Sequence, residues 1–273
     1  MTVHDHSYKN LFSHSKMVED LLTGFVHFDW VSELDFTTLE KLNNSYITDD
    51  LRERTDDVVW RVKFRDQWLY LYLLLEFQST VDHFMAVRIL TYVGLLYQDL
   101  IRTGQLPTQK QLPPVLPIVL YNGERRWRAA DSLSALQQPL PEGLQVFQPD
   151  LRYLLMDEGA YSKAELEQLD NVTAALIRAE LADNREELIR VLANLIVWLP
   201  MEQQRELRRA FKEWFNRILL PRRMPDTEFG KVHDLTEIQT MLAERVKDWT
   251  RNWREEGFQA GIEKGIEKGI DQG

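Results

Sequence analysis

The sequence predicts an α/β protein: a mixed sheet flanked by helices, then a C-terminal all-helical module. Three observations carry this. Apolar residues recur at helical spacing over residues 8–28 and again after residue 161. Between those regions, stretches around 57–77, 115–121 and 151–156 either alternate apolar with polar residues or run apolar without a break, the two signatures of strands. A further helical pattern, residues 81–102, separates the first of these stretches from the second, so helices and strands interleave.

The first helical pattern sets Leu11, Phe12, Met17, Val18, Leu21, Leu22, Phe25 and Val26 on one side, as one helix or as two joined near Ser13–Ser15. Residues 29–54 read as loop, with a short helix starting at Ser32-Glu33 and strand character at 46–48. A hairpin follows. Val58, Trp60, Val62 and Phe64 alternate with Asp57, Val59, Arg61 and Lys63, and residues 68–77 are apolar on both faces, as a buried central strand requires. Asp66-Gln67 is the expected two-residue turn between them. The helix over 81–102 has Met85, Ile89, Tyr92, Val93, Leu96 and Leu100 on its inner side. The strand VLPIVLY, residues 115–121, ends at the turn pair Asn122-Gly123. Pro117 within it argues for an edge position or a bulge, because proline brings no N–H to a ladder. A fourth strand is expected at 151–156, and three helices at 163–182, 185–198 and 201–219, punctuated by Pro200 and Pro221.

The tail carries glycine at every fourth position: Gly257, Gly261, Gly265, Gly269 and Gly273. A four-residue step overshoots a helical turn by about 40°, so the glycines would wind slowly around a helix. Two readings stand: a solvated tail, or a stripe through which C-terminal helices of a homo-oligomer pack. The expected organisation is an α/β domain at 1–160, a helical module at 161–250 and the tail at 251–273.

Composition narrows the chemistry. Of 273 residues, 44% are hydrophobic, enough for a packed core. The absence of cysteine excludes disulfides, thiolate nucleophiles and zinc–cysteine sites, and fits a reducing cytoplasm. No secretion signal or membrane-spanning run is found, which points to a soluble, cytoplasmic protein. The formal charge of −10 excludes a simple basic nucleic-acid coat, although one groove can still be basic.

Two acids, Asp57 and Glu76, lie near the ends of the predicted hairpin. With Asp66-Gln67 as the turn, residue 65 pairs with 68 and Asp57 faces Glu76, their Cβ atoms about 5 Å apart. Facing carboxylates repel unless a cation, a proton or a basic side chain stands between them. A divalent metal such as Mg²⁺ suits this place, and Gln78, two residues further on the same face, would orient water or a phosphate oxygen. The structural reading stays open beside it: Asp57 caps a turn and Glu76 pairs with Arg54 or Arg88.

Several segments then carry a resemblance: HDHSYKNLFS, DDVVWRV, LLLEFQS, MAVRILTYVGLLYQDL and LPPVLPIVLYNG. Together, over residues 4–160 and in this order, they resemble the recombination-promoting nuclease family, a branch of the PD-(D/E)XK nuclease superfamily that is often labelled transposase. The resemblance implies a PD-(D/E)XK-like mixed-sheet core and a Mg²⁺-dependent DNA endonuclease. Its acidic half-sites fall on Asp57 and Glu76, with Gln78 where the superfamily usually has lysine and Asp56 where it has proline. Lys63 is the candidate to replace that lysine, and Asp5 the candidate for an additional metal-ligating acid, with Glu19 second. The DNA-contacting residues are expected among Arg52, Arg54, Arg61, Lys63 and Arg65, and among Arg125, Arg126 and Arg128, where Trp127 would stack on bases. Phosphates would be their target, so sequence preference should be weak. Arg205, Arg208 and Arg209 read as one salt-bridged surface face. The rival function is a catalytically weak or inactive nuclease fold serving as a protein-interaction module, which Gln78 and the net acidity favour.

Overall fold

The computed structural model describes residues 3–42, 58–76, 81–106, 110–123, 125–224 and 232–244, with the side chains of 3–5 and 74–76 left aside. The chain divides into two compact units, Met1–Arg178 and Ala179–Gly273.

The first unit is built on a five-stranded mixed sheet in the order β1-β2-β3-β4-β5: β1 (Leu34–Lys41), β2 (Val58–Phe64), β3 (Gln67–Glu76), β4 (Val115–Tyr121) and β5 (Leu154–Asp157). The first three strands are antiparallel, and β4 and β5 are parallel to β3. Parallel neighbours need a crossover, and helix α3 (Met85–Arg102) supplies it between β3 and β4. Helices α1 (Val3–Leu11) and α2 (Ser15–Phe25) precede the sheet, broken apart at 12–14 as the sequence allowed.

Strand alternation sorts the core into two layers. Val59, Tyr70, Tyr72, Val119 and Tyr121 point to the α3 side, where they join Met85, Ile89, Tyr92 and Val93 in one buried cluster. Tyr72 stacks on Tyr92 with ring centroids 5.7 Å apart. Val58, Trp60, Val62, Leu71 and Leu73, all buried, have the opposite parity, and the Trp60 indole donates to the Phe12 carbonyl at 2.9 Å. Helices therefore cover both faces of β3, which explains a strand apolar on both sides.

Three expectations are corrected here. The hairpin turn is Arg65-Asp66, not Asp66-Gln67, because Phe64 pairs with Gln67 and Arg65 takes a positive φ of 53°. Strand β1 was read as loop. Its pairing with β2 jumps from Asp35↔Lys63 to Glu40↔Arg61, and the extra residues break the period-two pattern. Polar side chains close that bulge: Asp35 accepts from the Thr37 N–H and hydroxyl, and the Lys63 N–H donates to Thr38 Oγ1. Pro117 sits in an internal strand rather than at an edge. The Tyr70 N–H donates to the Pro114 carbonyl, so even-numbered β4 residues turn their main chain to β3 and odd ones toward β5. Pairing with β5 starts only at Ile118, so no ladder bond is missing at Pro117. Strand character at 46–48 lies outside the described residues.

Helices α4 (Lys163–Glu167) and α5 (Val172–Leu181) replace the single helix expected over 163–182. The start of α5 is tied to α2 through a buried acid that the sequence reading passed over. Asp20, 3% exposed, accepts from the Val172 N–H at 2.7 Å and pairs with Lys16 at 2.7 Å, while the Thr173 hydroxyl donates to the Met17 carbonyl. These bonds tie residues 172 and 173 to α2, and the first compact unit runs to Arg178. Asp20→Ala is expected to lower stability by about 2 kcal/mol, because it takes the charged acceptor from the buried Val172 N–H, while Asn171 still caps the Ala174 N–H. Urea unfolding checks this.

The second unit is helical. Asn184 caps α6 (Arg185–Trp198) by accepting the Glu187 N–H at 2.9 Å. Helix α7 (Arg205–Trp214) runs through a π-turn, Phe215–Leu219, into α8 (Leu220–Arg223), whose first turn contains Pro221. Proline there removes no needed N–H, so it does not end the helix at 219. Residues 235–244 form a further helix. Arg208 is buried, not part of a surface face with Arg205 and Arg209: it grips Asp234 and the Leu199 carbonyl. Among the described residues no helix is long and apolar enough to cross a membrane. The glycine-repeat tail lies outside the described residues.

Candidate functional site

Strands β3, β4 and β5 run parallel and finish together. Their last residues are in register across the sheet: Glu76 beside Tyr121, and Tyr121 beside Asp157. In open parallel sheets the crevice outside the carboxyl ends of the strands is where ligands bind. The local sequences share a pattern, since LLLE (73–76) and LLMD (154–157) both carry an apolar run out of the core and end it on an acid.

Asp57 and Gln78 lie outside the described residues, so the expected opposition of Asp57 and Glu76 has no described geometry. The register corrects the premise behind it. β2 begins at Val58, and Val58 pairs with Leu73, three residues before Glu76. Asp5 is in the backbone of α1, and its side chain is not described. Glu19 is half-buried on α2. Among the described residues no group of three or more His, Asp or Glu side chains is arranged to hold a metal. Carboxylate and amide oxygens, the donor types expected from the sequence at Asp57, Glu76 and Gln78, are chemically suited to Mg²⁺.

Lys63 is not brought to the Glu76 end. It pairs with Trp68, eight residues before Glu76, a distance of about 26 Å along the strand. Its ammonium lies 5.6 Å from the Trp68 ring centroid. The other hairpin cations share that remote end. Arg61 bonds Glu40 at 2.7 Å and lies over Trp68, and Arg65 bonds Glu33 at 2.7 Å. A two-residue turn at 65-66 leaves β3 long, and this length carries the basic end away from the acidic one. Arg52 and Arg54 lie outside the described residues.

The second arginine group lies differently. Arg125, Arg126 and Arg128 are exposed in the loop that leaves β4 at Tyr121, beside Glu76. Trp127 is not available to stack on bases: it is buried against Tyr121 and Tyr153, with ring centroids at 5.0 and 6.4 Å. Its indole N–H donates to the Tyr153 hydroxyl at 3.0 Å, which in turn donates to the Ala130 carbonyl. Burial pushes the Tyr153 phenol up to about 12, so it stays a donor at neutral pH. Asp157 was not singled out by sequence. It is 9% exposed, accepts the Trp127 N–H at Oδ2, and has no hydrogen-bond partner at Oδ1 among the described residues.

Residues 2–209 match the family described as "Putative transposase, YhgA-like". The chain is 33% identical over 122 residues to recombination-promoting nuclease RpnA of Escherichia coli (strain K12), covering 45% of this chain and 40% of that protein. It is 29% identical over 124 residues to recombination-promoting nuclease RpnD of Escherichia coli O157:H7, covering 45% and 46%. It is also 30% identical over 91 residues to the "Putative inactive recombination-promoting nuclease-like protein YjiP" of Escherichia coli (strain K12), covering 33% of this chain and 88% of that protein. The matches thus span less than half the length of the two active-named relatives. No solved structure matches the chain. With the family match running from the first helix to α7, through the whole sheet, the chain belongs to the YhgA-like transposase-labelled family, whose curated relatives here are named recombination-promoting nucleases.

Proposed function

We propose that this protein is a divalent-metal-dependent DNA endonuclease of little sequence specificity, acting in recombination. Asp57 and Glu76 would hold the cation, and Gln78 would orient the attacking water or a phosphate oxygen. The observation that carries this reading is the position of Glu76. It is the last residue of the central strand, at the carboxyl end of three parallel strands, in a family whose relatives are named nucleases. In the sequence Asp57 directly precedes β2, whose first residue, Val58, pairs with Leu73, three residues before Glu76, and this supports a cation shared by the two acids. A divalent ion there supplies polarisation of the phosphoryl oxygen and a water of lowered pKa. Glu76 emerges from an apolar run, and the ion would offset the cost of holding its charge near the core.

A second reading is an inactive nuclease fold used as an interaction module. Gln78 in place of lysine favours it, as do relatives whose names call them inactive. Plasmid nicking by the purified chain in Mg²⁺, beside Asp57→Ala, separates the two. The endonuclease reading expects cutting by the wild type alone. Equal cutting by both points to another site, and no cutting by either favours the module.

A further inference from the structure

We propose that Arg125, Arg126 and Arg128, in the stretch after β4, form a preformed phosphate clamp for the backbone of a DNA duplex, with Tyr121, Gly123 and Asp157 as its positioning residues. The inference rests on the nuclease reading for the identity of the substrate, and adds to the arginines expected from the sequence the residues that position them.

The loop is fastened to the sheet at each turn of its path. Tyr121, fully buried at the end of β4, donates its hydroxyl to the Arg125 carbonyl at 2.7 Å. Gly123 folds against that same side chain. A Cβ there would lie 2.1 Å from the Tyr121 hydroxyl and 2.3 Å from Cζ, so only glycine lets the chain turn over the ring. Trp127 then plugs the core, and Asp157 accepts its N–H at 3.2 Å. Asp157 Oδ1, buried, lies 3.8 Å from Arg126 Nη1. The arginine is thereby steered from below while its side chain stays 56% exposed.

The arrangement makes little sense as solvation alone. A surface loop needs no buried carboxylate, no ring-hugging glycine and no tyrosine latch to keep three arginines in water. Within an acidic chain of net charge −10, the loop carries three arginines against one glutamate. Arginine suits phosphate because its planar fork donates two parallel bonds. A fixed backbone removes the ordering cost that a flexible arginine loop would meet on binding. The neighbouring strand ends at Glu76, so phosphates held here lie beside the proposed cutting site.

The test is binding of a fluorescein-labelled DNA duplex, read by anisotropy over a series of salt concentrations in EDTA, so that no strand is cut. Each single alanine variant of Arg125, Arg126 and Arg128 is expected to reduce the slope of log K against log salt by about 0.9, and the triple variant to lose about three such steps. Tyr121→Phe and Asp157→Asn keep all three arginines. Tyr121→Phe loses the hydrogen bond to the Arg125 carbonyl and Asp157→Asn the charge facing Arg126; each is expected to weaken binding about fivefold and to raise KM with kcat unchanged wherever nicking is measurable. A triple variant with native circular dichroism and wild-type affinity and slope would overturn the clamp. Wild-type affinity in both Tyr121→Phe and Asp157→Asn would remove the positioning roles. The parent reading fails separately: arginine-dependent binding without any nicking keeps the clamp and sinks the nuclease, whereas Asp57-dependent nicking with a neutral arginine loop does the reverse.

Discussion

Glu76→Gln is expected to lower Mg²⁺-dependent nicking about a thousandfold while leaving the apoprotein at least as stable as the wild type. The substitution keeps size and hydrogen-bonding capacity but removes the negative charge proposed to hold a cation. Charge stabilisation by a bound metal is worth several kcal/mol in the transition state, and about 4 kcal/mol corresponds to three powers of ten. The stability half of the prediction separates function from architecture. An acid at the end of a run such as Leu73–Leu75 is costly without its ion, so neutralising it should raise the metal-free Tm by a few degrees. If Glu76 serves only to pair with an arginine, the same change lowers Tm and leaves the cutting rate alone. Nicking assays in Mg²⁺ and thermal melts in EDTA, on the same two proteins, decide between these outcomes.

Arg208→Ala is expected to destabilise the helical unit by about 3 kcal/mol, against about 0.5 kcal/mol or less for Arg209→Ala next to it. Arg208 is 5% exposed, makes two bonds to the Asp234 carboxylate and donates to the carbonyls of Leu199 and Ile196. Removing it takes the counter-charge from the Asp234 carboxylate, which keeps only neutral donors such as Thr236, and a charged donor from two carbonyls, the costly way to break a buried pair. Arg209 pairs with Glu213 at 3.3 Å on the surface, where such contacts contribute little. The pair also sets a pH dependence. The Arg208 bond holds the Asp234 carboxyl well below the usual carboxylate range, against the opposing effect of burial. A group depressed in the folded state stabilises above its unfolded value and loses that contribution as pH falls toward its folded value. The stability gap between wild type and Asp234→Asn should therefore be full above about pH 5 and shrink progressively below pH 4. Urea midpoints of the two proteins across that range measure it.

The two substitutions mark where sequence reading succeeds and where it stops. Glu76 was legible because it breaks an apolar run, and the end of such a run is visible without any partner. Arg208 was read as surface, because its sequence neighbours Arg205, Glu206 and Arg209 are all charged. Only the pairing with residue 234, which is distant in sequence, shows that it faces inward. Trp127 was misread for the same reason, its arginine neighbours suggesting an exposed stacking surface while Tyr121 and Tyr153 enclose it.

By itself the sequence determined the alternation of helices and strands, the limits of β4 and α6, the buried character of β3, and an acid where β3 ends. These features depend on periodicity and on residues within a few positions of one another. Tertiary structure decided the hairpin register, the internal place of Pro117, the remoteness of Lys63 from Glu76, and the bracing of the arginine loop by Asp157. The first and third turn on the register within one hairpin, and the second and fourth on neighbours distant in sequence, such as Trp127 and Asp157. A one-residue shift in a turn costs little locally yet moves every cross-strand partner, so no local pattern specifies it.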